Sequence, residues 1–123
     1  EQSVQLKLSV IEQTVHGKHI VLVDDSIVRG TTMAKLIRLL KKAGAKSVHV
    51  RISSPPFLYP CYYGTDVPSN KQLLAASHSL AEIQTLIGAD SLAYLRVEDL
   101  SYIADGLPLC TACFNNHYPI AVS

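Results

Sequence analysis

The alternation of hydrophobic and polar residues predicts a parallel α/β arrangement in the first half of the chain. A strand is predicted from His19 to Val23, where the unbroken apolar run that starts at Ile20 is typical of a strand buried on both faces. Helical periodicity follows from Thr31 to Ala43, and strict alternation from Ser47 to Ile52 predicts a second strand. A strand, a helix and a strand in this order form a right-handed unit with parallel strands.

The second half of the chain predicts shorter elements. Two capping-box signatures, Ser69 with Gln72 and Ser79 with Glu82, predict two helix starts. The second helix is expected to end at Gly88 and to bury four residues, Leu80, Ile83, Leu86 and Ile87. A third short strand (91–95) and a short helix (97–103) complete the prediction.

Other stretches are less regular. Alternating residues from Ser3 to Val15 favour a short strand or an extended arm. The stretch from Phe57 to Val67, rich in proline, glycine and tyrosine, predicts an ordered loop. The stretch from Leu107 to Cys113 is too short and too interrupted to form a core element. We therefore expect one α/β unit with an irregular carboxyl-terminal segment.

Composition narrows the classes of function. The chain has 123 residues, 48% of them hydrophobic, which suits one packed domain. A formal net charge of +1 provides no basic stripe for nucleic acid. We find neither an apolar run of membrane-spanning length nor a signal peptide, which favours the cytoplasm. The chain starts at Glu1 rather than Met, so we expect a piece of a longer protein.

Two adjacent carboxylates, Asp24 and Asp25, end the first predicted strand. Like charges side by side need a cation or hydrogen-bond donors nearby, such as Mg²⁺ or sugar hydroxyls. The residues from Ser26 to Thr32 then offer backbone amides and hydroxyls at the positive end of a helix, which favours phosphate. From the residues alone, the acids could equally begin a loop and cap the helix. Arg29 could pair with a phosphate or point to solvent.

The odd number of cysteines, three, argues against a disulfide framework. Cys110 and Cys113 have the C-x-x-C spacing, and Cys61 lies in the tyrosine-rich loop. On spacing alone the alternatives are a redox pair, a zinc site lacking a ligand, or buried thiols. The five histidines show no mutual ligand spacing, and we expect them at the surface or the core edge.

The run from Val23 to Thr32 closely resembles the phosphoribosylpyrophosphate-binding motif of the type I phosphoribosyltransferases, in which a hydrophobic strand precedes two acids and a loop ending in Gly-x-Thr. Its particular form resembles the glutamine phosphoribosylpyrophosphate amidotransferase family. Three further stretches are similar to segments of that family: 1–8, 46–56 and 110–119. The resemblance implies a partial type I phosphoribosyltransferase core with a Rossmann-like parallel sheet, in which residues 1–123 form the carboxyl-terminal part of the domain.

The resemblance also implies site residues. Asp24 and Asp25 would contact the ribose hydroxyls and help to hold Mg²⁺. The 5-phosphate would be bound by Ser26, Ile27, Val28, Arg29, Gly30, Thr31 and Thr32. One branch of the family holds a structural [4Fe–4S] cluster, for which Cys61, Cys110 and Cys113 would be three ligands. Gln5 replaces a basic residue that is usual in the family.

The activity implied is formation of 5-phosphoribosylamine from phosphoribosylpyrophosphate and glutamine-derived ammonia, the first step of purine synthesis. A glutaminase domain outside this chain would supply the ammonia, purine nucleotides would act as feedback inhibitors, and the intact protein would be a homo-oligomer. The alternative is a regulatory protein of the same fold that binds phosphoribosylpyrophosphate or a purine nucleotide without turnover. A further alternative is that the fragment alone is an inactive folding unit.

Overall fold

The architecture is a parallel three-stranded sheet with helices packed on it. A computed structural model describes residues 11–64 and 69–120 of the chain. Strands β1 (His19–Asp24), β2 (Ser47–Ile52) and β3 (Ser91–Ala93) pair in the order β1-β2-β3. Both pairs are parallel, with His19 opposite Ser47 in the first pair and His49 opposite Ser91 in the second. The predicted α/β class and parallel unit are confirmed.

Helix α1 (Thr31–Lys42) connects β1 to β2 and covers one face of the sheet. Its buried residues are Met33, Ile37 and Leu40, as its amphipathic pattern predicts. They form one core cluster with Val48 and Val50 of β2, whose side chains are fully buried. The orientation of α1 therefore fixes where its first turn lies relative to the carboxyl end of β1.

The second half of the chain adds a turn and four helices within the described residues. A turn of 3₁₀ helix (Asn70–Gln72) precedes the short helix α2 (Leu74–Ser77). Helix α3 (Leu80–Ile87) follows, and its predicted capping box is confirmed. Helix α4 (Val97–Ile103) precedes the irregular segment with Cys110, and the short helix α5 (Ala112–Asn115) contains Cys113.

Several predicted details are wrong. Residues 11–15 are helical rather than extended, and the rest of that predicted arm lies outside the described residues. The signature at Ser69 and Gln72 yields one 3₁₀ turn instead of a longer helix. On α3 only Ile83 and Ile87 are buried, whereas Leu80 and Leu86 are more than half exposed. A helix of two turns contacts its neighbours along a single narrow stripe, which leaves its flanking apolar residues outside.

The other face of the sheet is not buried, so the prediction that β1 is covered on both faces is wrong. Val21 and Val23 of β1 are 64% and 69% exposed, because no described helix covers this face, and a row of polar side chains lies beside them. His19 and Ser47 hydrogen-bond across β1 and β2 at 2.7 Å, and His49 and Ser91 do so across β2 and β3 at 2.7 Å. These pairs face each other in the strand register, so they support the alignment of all three strands. In the described parts of the chain, no helix has the length and apolar character needed to cross a membrane.

Candidate ligand-binding site

A cavity of about 260 Å³ opens at the carboxyl end of β1, where α1 begins. Its walls contain every residue from Asp24 to Thr32 except Asp25, together with Met33 and Leu36 of α1. Ligands of open parallel sheets bind at this edge, outside the carboxyl ends of the strands. The position of the cavity follows from the strand–helix connection alone.

The two aspartates adjoin each other at the edge of the cavity. Asp24 is the last residue of β1, and its carbonyl accepts the Ser53 N–H at 2.9 Å. The Asp24 carboxylate accepts the Asp25 N–H at 2.8 Å, and the Asp25 carboxylate accepts the Ser26 hydroxyl at 3.2 Å. Both aspartates are exposed, so their remaining oxygen lone pairs can reach a cation or a diol.

The loop 26–32 presents unused amide groups to the cavity. The buried side chain of Ile27 anchors the loop in the core. The Ala34 N–H donates to the Gly30 carbonyl at 2.9 Å, which is the first bond of α1. The N–H groups of Thr31, Thr32 and Met33 precede this bond and have no acceptor within the helix. With the positive end of the helix dipole, they form a site suited to an anion.

The residues 72–74 support the loop from outside the cavity, and the sequence motif did not reveal this. The Leu74 N–H donates to the Val28 carbonyl at 2.9 Å. Arg29 lines the cavity and is exposed, and its Nη2 donates to Gln72 Oε1 at 3.1 Å. Gly30 has a φ of +83°, and a Cβ there would lie 2.7 Å from Leu74 Cδ2.

The cysteine segments meet on the surface of the domain. The Cys113 carbonyl accepts the N–H groups of Leu58 and Tyr59 at 2.9 and 3.0 Å. Phe57 and Phe114 stack with their ring centroids 5.2 Å apart. The fold thus brings the tyrosine-rich loop and the C-x-x-C segment together, although 49 to 52 residues separate Cys61 from the cysteines of that segment.

The surroundings of the Cys113 thiol disfavour its thiolate form. Burial raises the pKa of the Cys113 thiol, and the neighbouring Cys61 and Cys110 thiols raise it further. The Tyr63 N–H donates to Cys61 Sγ at 3.4 Å, and Cys110 is exposed. Within residues 11–64 and 69–120, no three His, Cys, Asp or Glu side chains are arranged to hold a metal ion.

Comparison with known proteins gives consistent results. A family model described as phosphoribosyl transferase domain matches residues 1–53. The amidophosphoribosyltransferase of Pyrococcus horikoshii is 54% identical over 119 residues, which are 97% of this chain and 26% of that protein. The amidophosphoribosyltransferase of Bacillus subtilis is 47% identical over an alignment of 128 positions, which covers 99% of this chain and 27% of that protein.

The solved structures include glutamine phosphoribosylpyrophosphate amidotransferase from B. subtilis, complexed with ADP and GMP. It superposes with a TM-score of 0.80 at 47% identity, over 88% of this chain and 25% of that one. A structure described as the allosteric regulatory enzyme of purine biosynthesis gives a TM-score of 0.78 at 46% identity, over 88% of this chain and 24% of that one.

The parallel sheet, the strand–loop–helix cavity and these matches identify the chain as part of a phosphoribosyltransferase domain of type I. Its similarity extends over nearly its whole length to one group within that class. That group is the amidophosphoribosyltransferases, to which the chain is about half identical. The chain spans about a quarter of the length of the curated relatives it matches.

Proposed function

We propose that this chain provides the ribose-phosphate half of the active site of an amidophosphoribosyltransferase. The intact enzyme would transfer ammonia to C1 of phosphoribosylpyrophosphate, releasing pyrophosphate and forming 5-phosphoribosylamine. The observation that supports this most strongly is the cavity beside β1, where an exposed carboxylate pair adjoins the amides that begin α1. Carboxylates that can bind two hydroxyls or Mg²⁺, next to a helix terminus that can bind phosphate, match the chemical groups of a ribose 5-phosphate.

Each part of the site has a chemical role in this proposal. Asp24 and Asp25 accept hydrogen bonds from the ribose hydroxyls and help to hold Mg²⁺, which would neutralise the departing pyrophosphate. The loop 26–32 binds the 5-phosphate through its backbone amides and the hydroxyls of Ser26, Thr31 and Thr32. None of these residues is positioned as a nucleophile. The transfer therefore depends on holding C1 in place and stabilising charge.

The ammonia would come from glutamine hydrolysed by a part of the protein outside this chain. That arrangement agrees with the length of the relatives, of which this chain covers about a quarter. We propose that residues 1–123 are the carboxyl-terminal part of the transferase domain, and that the intact protein is a homo-oligomer. The cavity described here would then be completed by residues supplied from elsewhere in the protein.

Replacing both carboxylates tests the site directly. We expect the double variant Asp24→Asn with Asp25→Asn to lose Mg²⁺-dependent binding of phosphoribosylpyrophosphate, because amides neither neutralise the cation nor accept as strongly from the diol. The measurement is calorimetric titration of the full-length protein with and without Mg²⁺. Glu98→Gln on α4, whose carboxylate is also exposed, is the matched control and should bind normally. Unchanged affinity in the double variant would refute the assignment.

We propose a structural [4Fe–4S] cluster for the cysteine segments of the intact protein. Such a cluster takes four thiolates, and this chain contains three cysteines. The described residues therefore do not complete the site, and a fourth ligand would come from outside this chain. The support is that the loop around Cys61 packs on the segment around Cys113, so that bound iron would tie the carboxyl-terminal segment to the domain.

A second candidate is a regulatory protein that binds the same ligand, or a purine nucleotide, without turnover. The solved relative complexed with ADP and GMP supports the binding of purine nucleotides, whether or not the protein is also an enzyme. In an enzyme the nucleotides would serve as feedback inhibitors. Tight Mg²⁺-dependent binding without any release of pyrophosphate in the presence of ammonia would favour the regulator.

A further inference from the structure

Of the described residues that line the cavity, Arg29 alone is basic, and its guanidinium is held by a neutral partner. Its Nη2 donates to Gln72 Oε1 at 3.1 Å, across 43 residues of sequence. No ion pair to Arg29 occurs within residues 11–64 and 69–120. The guanidinium is thus oriented without losing its charge to a carboxylate.

The position of Gln72 is fixed on both sides. Its own N–H donates to the Ser69 carbonyl at 2.9 Å, which closes the 3₁₀ turn. The next residue, Leu73, is only 1% exposed, and the Leu74 N–H donates a hydrogen bond of 2.9 Å to the Val28 carbonyl. The Gln72 side chain therefore stands at a defined place relative to the loop 26–32.

We propose that Gln72 is a positioning residue for phosphoribosylpyrophosphate binding, acting through Arg29. This inference rests on the proposed function. The amide oxygen holds the guanidinium beside the loop, so its positive charge adds to that of the α1 terminus where the anion binds. Because Gln72 is neutral, the whole charge of Arg29 remains available to the substrate. Without the hydrogen bond to Gln72, the Arg29 side chain is free to move. The conformational entropy that it then loses when the substrate binds opposes binding.

The test is steady-state kinetics of the full-length enzyme with ammonia as the nitrogen donor. We expect Gln72→Ala to raise KM for phosphoribosylpyrophosphate about three- to tenfold, the size of the net contribution of one typical hydrogen bond, with kcat unchanged. Gln72→Glu keeps an acceptor of the same shape but pairs the guanidinium with a carboxylate, so KM should stay above the wild-type value because part of the charge of Arg29 is neutralised. Gln84→Ala is the matched control, because Gln84 makes one side-chain bond of 3.1 Å to the Asp90 carbonyl, away from the loop.

A double-mutant cycle decides whether Gln72 acts through Arg29. In an Arg29→Ala background, Gln72→Ala should have no further effect on KM. Equal effects in both backgrounds, a wild-type KM in Gln72→Ala, or the same change in Gln84→Ala would each overturn the inference while leaving the proposed function intact. If the wild-type enzyme neither binds nor consumes phosphoribosylpyrophosphate, the proposed function fails and the inference fails with it.

Discussion

Gly30 lies in the loop 26–32 against the side chain of Leu74. Replacing it with alanine would add two costs, one from its backbone conformation and one from the contact with Leu74. Its φ of +83° lies in the left-handed region, where an alanine costs about 1–2 kcal/mol. The new Cβ would also lie 2.7 Å from Leu74 Cδ2, closer than real carbon contacts. Displacing that methyl group is an overpacking change of about 1–3 kcal/mol. Gly30→Ala should therefore lower the free energy of unfolding by about 2–5 kcal/mol.

Gly17 offers the matched control. Its φ is +72°, but nothing lies within 4 Å of an added Cβ, so Gly17→Ala should cost only the backbone part, about 1–2 kcal/mol. Urea denaturation measures the free energy of unfolding of both variants, and the two values are compared if the slope of that free energy against urea concentration is the same. Gly30→Ala should also weaken phosphoribosylpyrophosphate binding, whereas Gly17→Ala should not. Equal destabilisation of the two variants would refute the claim that Leu74 supports the loop.

Two further predictions concern other parts of the chain. The hydrogen bonds from Ser79 lower the pKa of Glu82 from its usual 4.5, so the capping box contributes stability above that pH and loses it as the pH falls through the folded pKa. Glu82→Gln removes the titrating carboxylate and should be less stable than wild type near neutral pH, with the difference shrinking as the pH falls through the folded pKa; a constant difference in urea denaturation at neutral and acid pH would contradict this. Anaerobically prepared full-length protein should contain about four iron and four sulfide per chain, and Cys113→Ser should lose them. Zinc, or no metal, would exclude the cluster.

Local pattern was sufficient for the elements nearest the site. The elements β1, α1 and β2 each extend over six residues or more and form where they were predicted, although β1 is not buried on both faces. Because a loop between a strand and a helix must lie at the carboxyl end of a parallel sheet, the place of the carboxylates followed from this order. The particular ligand was indicated only by resemblance, since Asp-Asp before a helix also suits a simple cap.

The features that escaped prediction are contacts distant in sequence. Nothing near Gly30 indicates that Leu74 will pack against it, and Gln72 carries no pattern that pairs it with Arg29. The side on which α3 is buried depended on the orientation of α1 and β3, so the exposure of Leu86 could not be obtained from periodicity. Likewise, only the resemblance linked the Cys61 loop to the distant C-x-x-C segment.

Release of pyrophosphate tests the central claim most directly. Full-length wild-type protein, supplied with phosphoribosylpyrophosphate, ammonia and Mg²⁺, should release pyrophosphate together with phosphoribosylamine. The double variant Asp24→Asn with Asp25→Asn should release none above the uncatalysed rate, while retaining its fold. Pyrophosphate release at the wild-type rate in that variant would contradict the assignment of the carboxylate pair to the ribose-phosphate site.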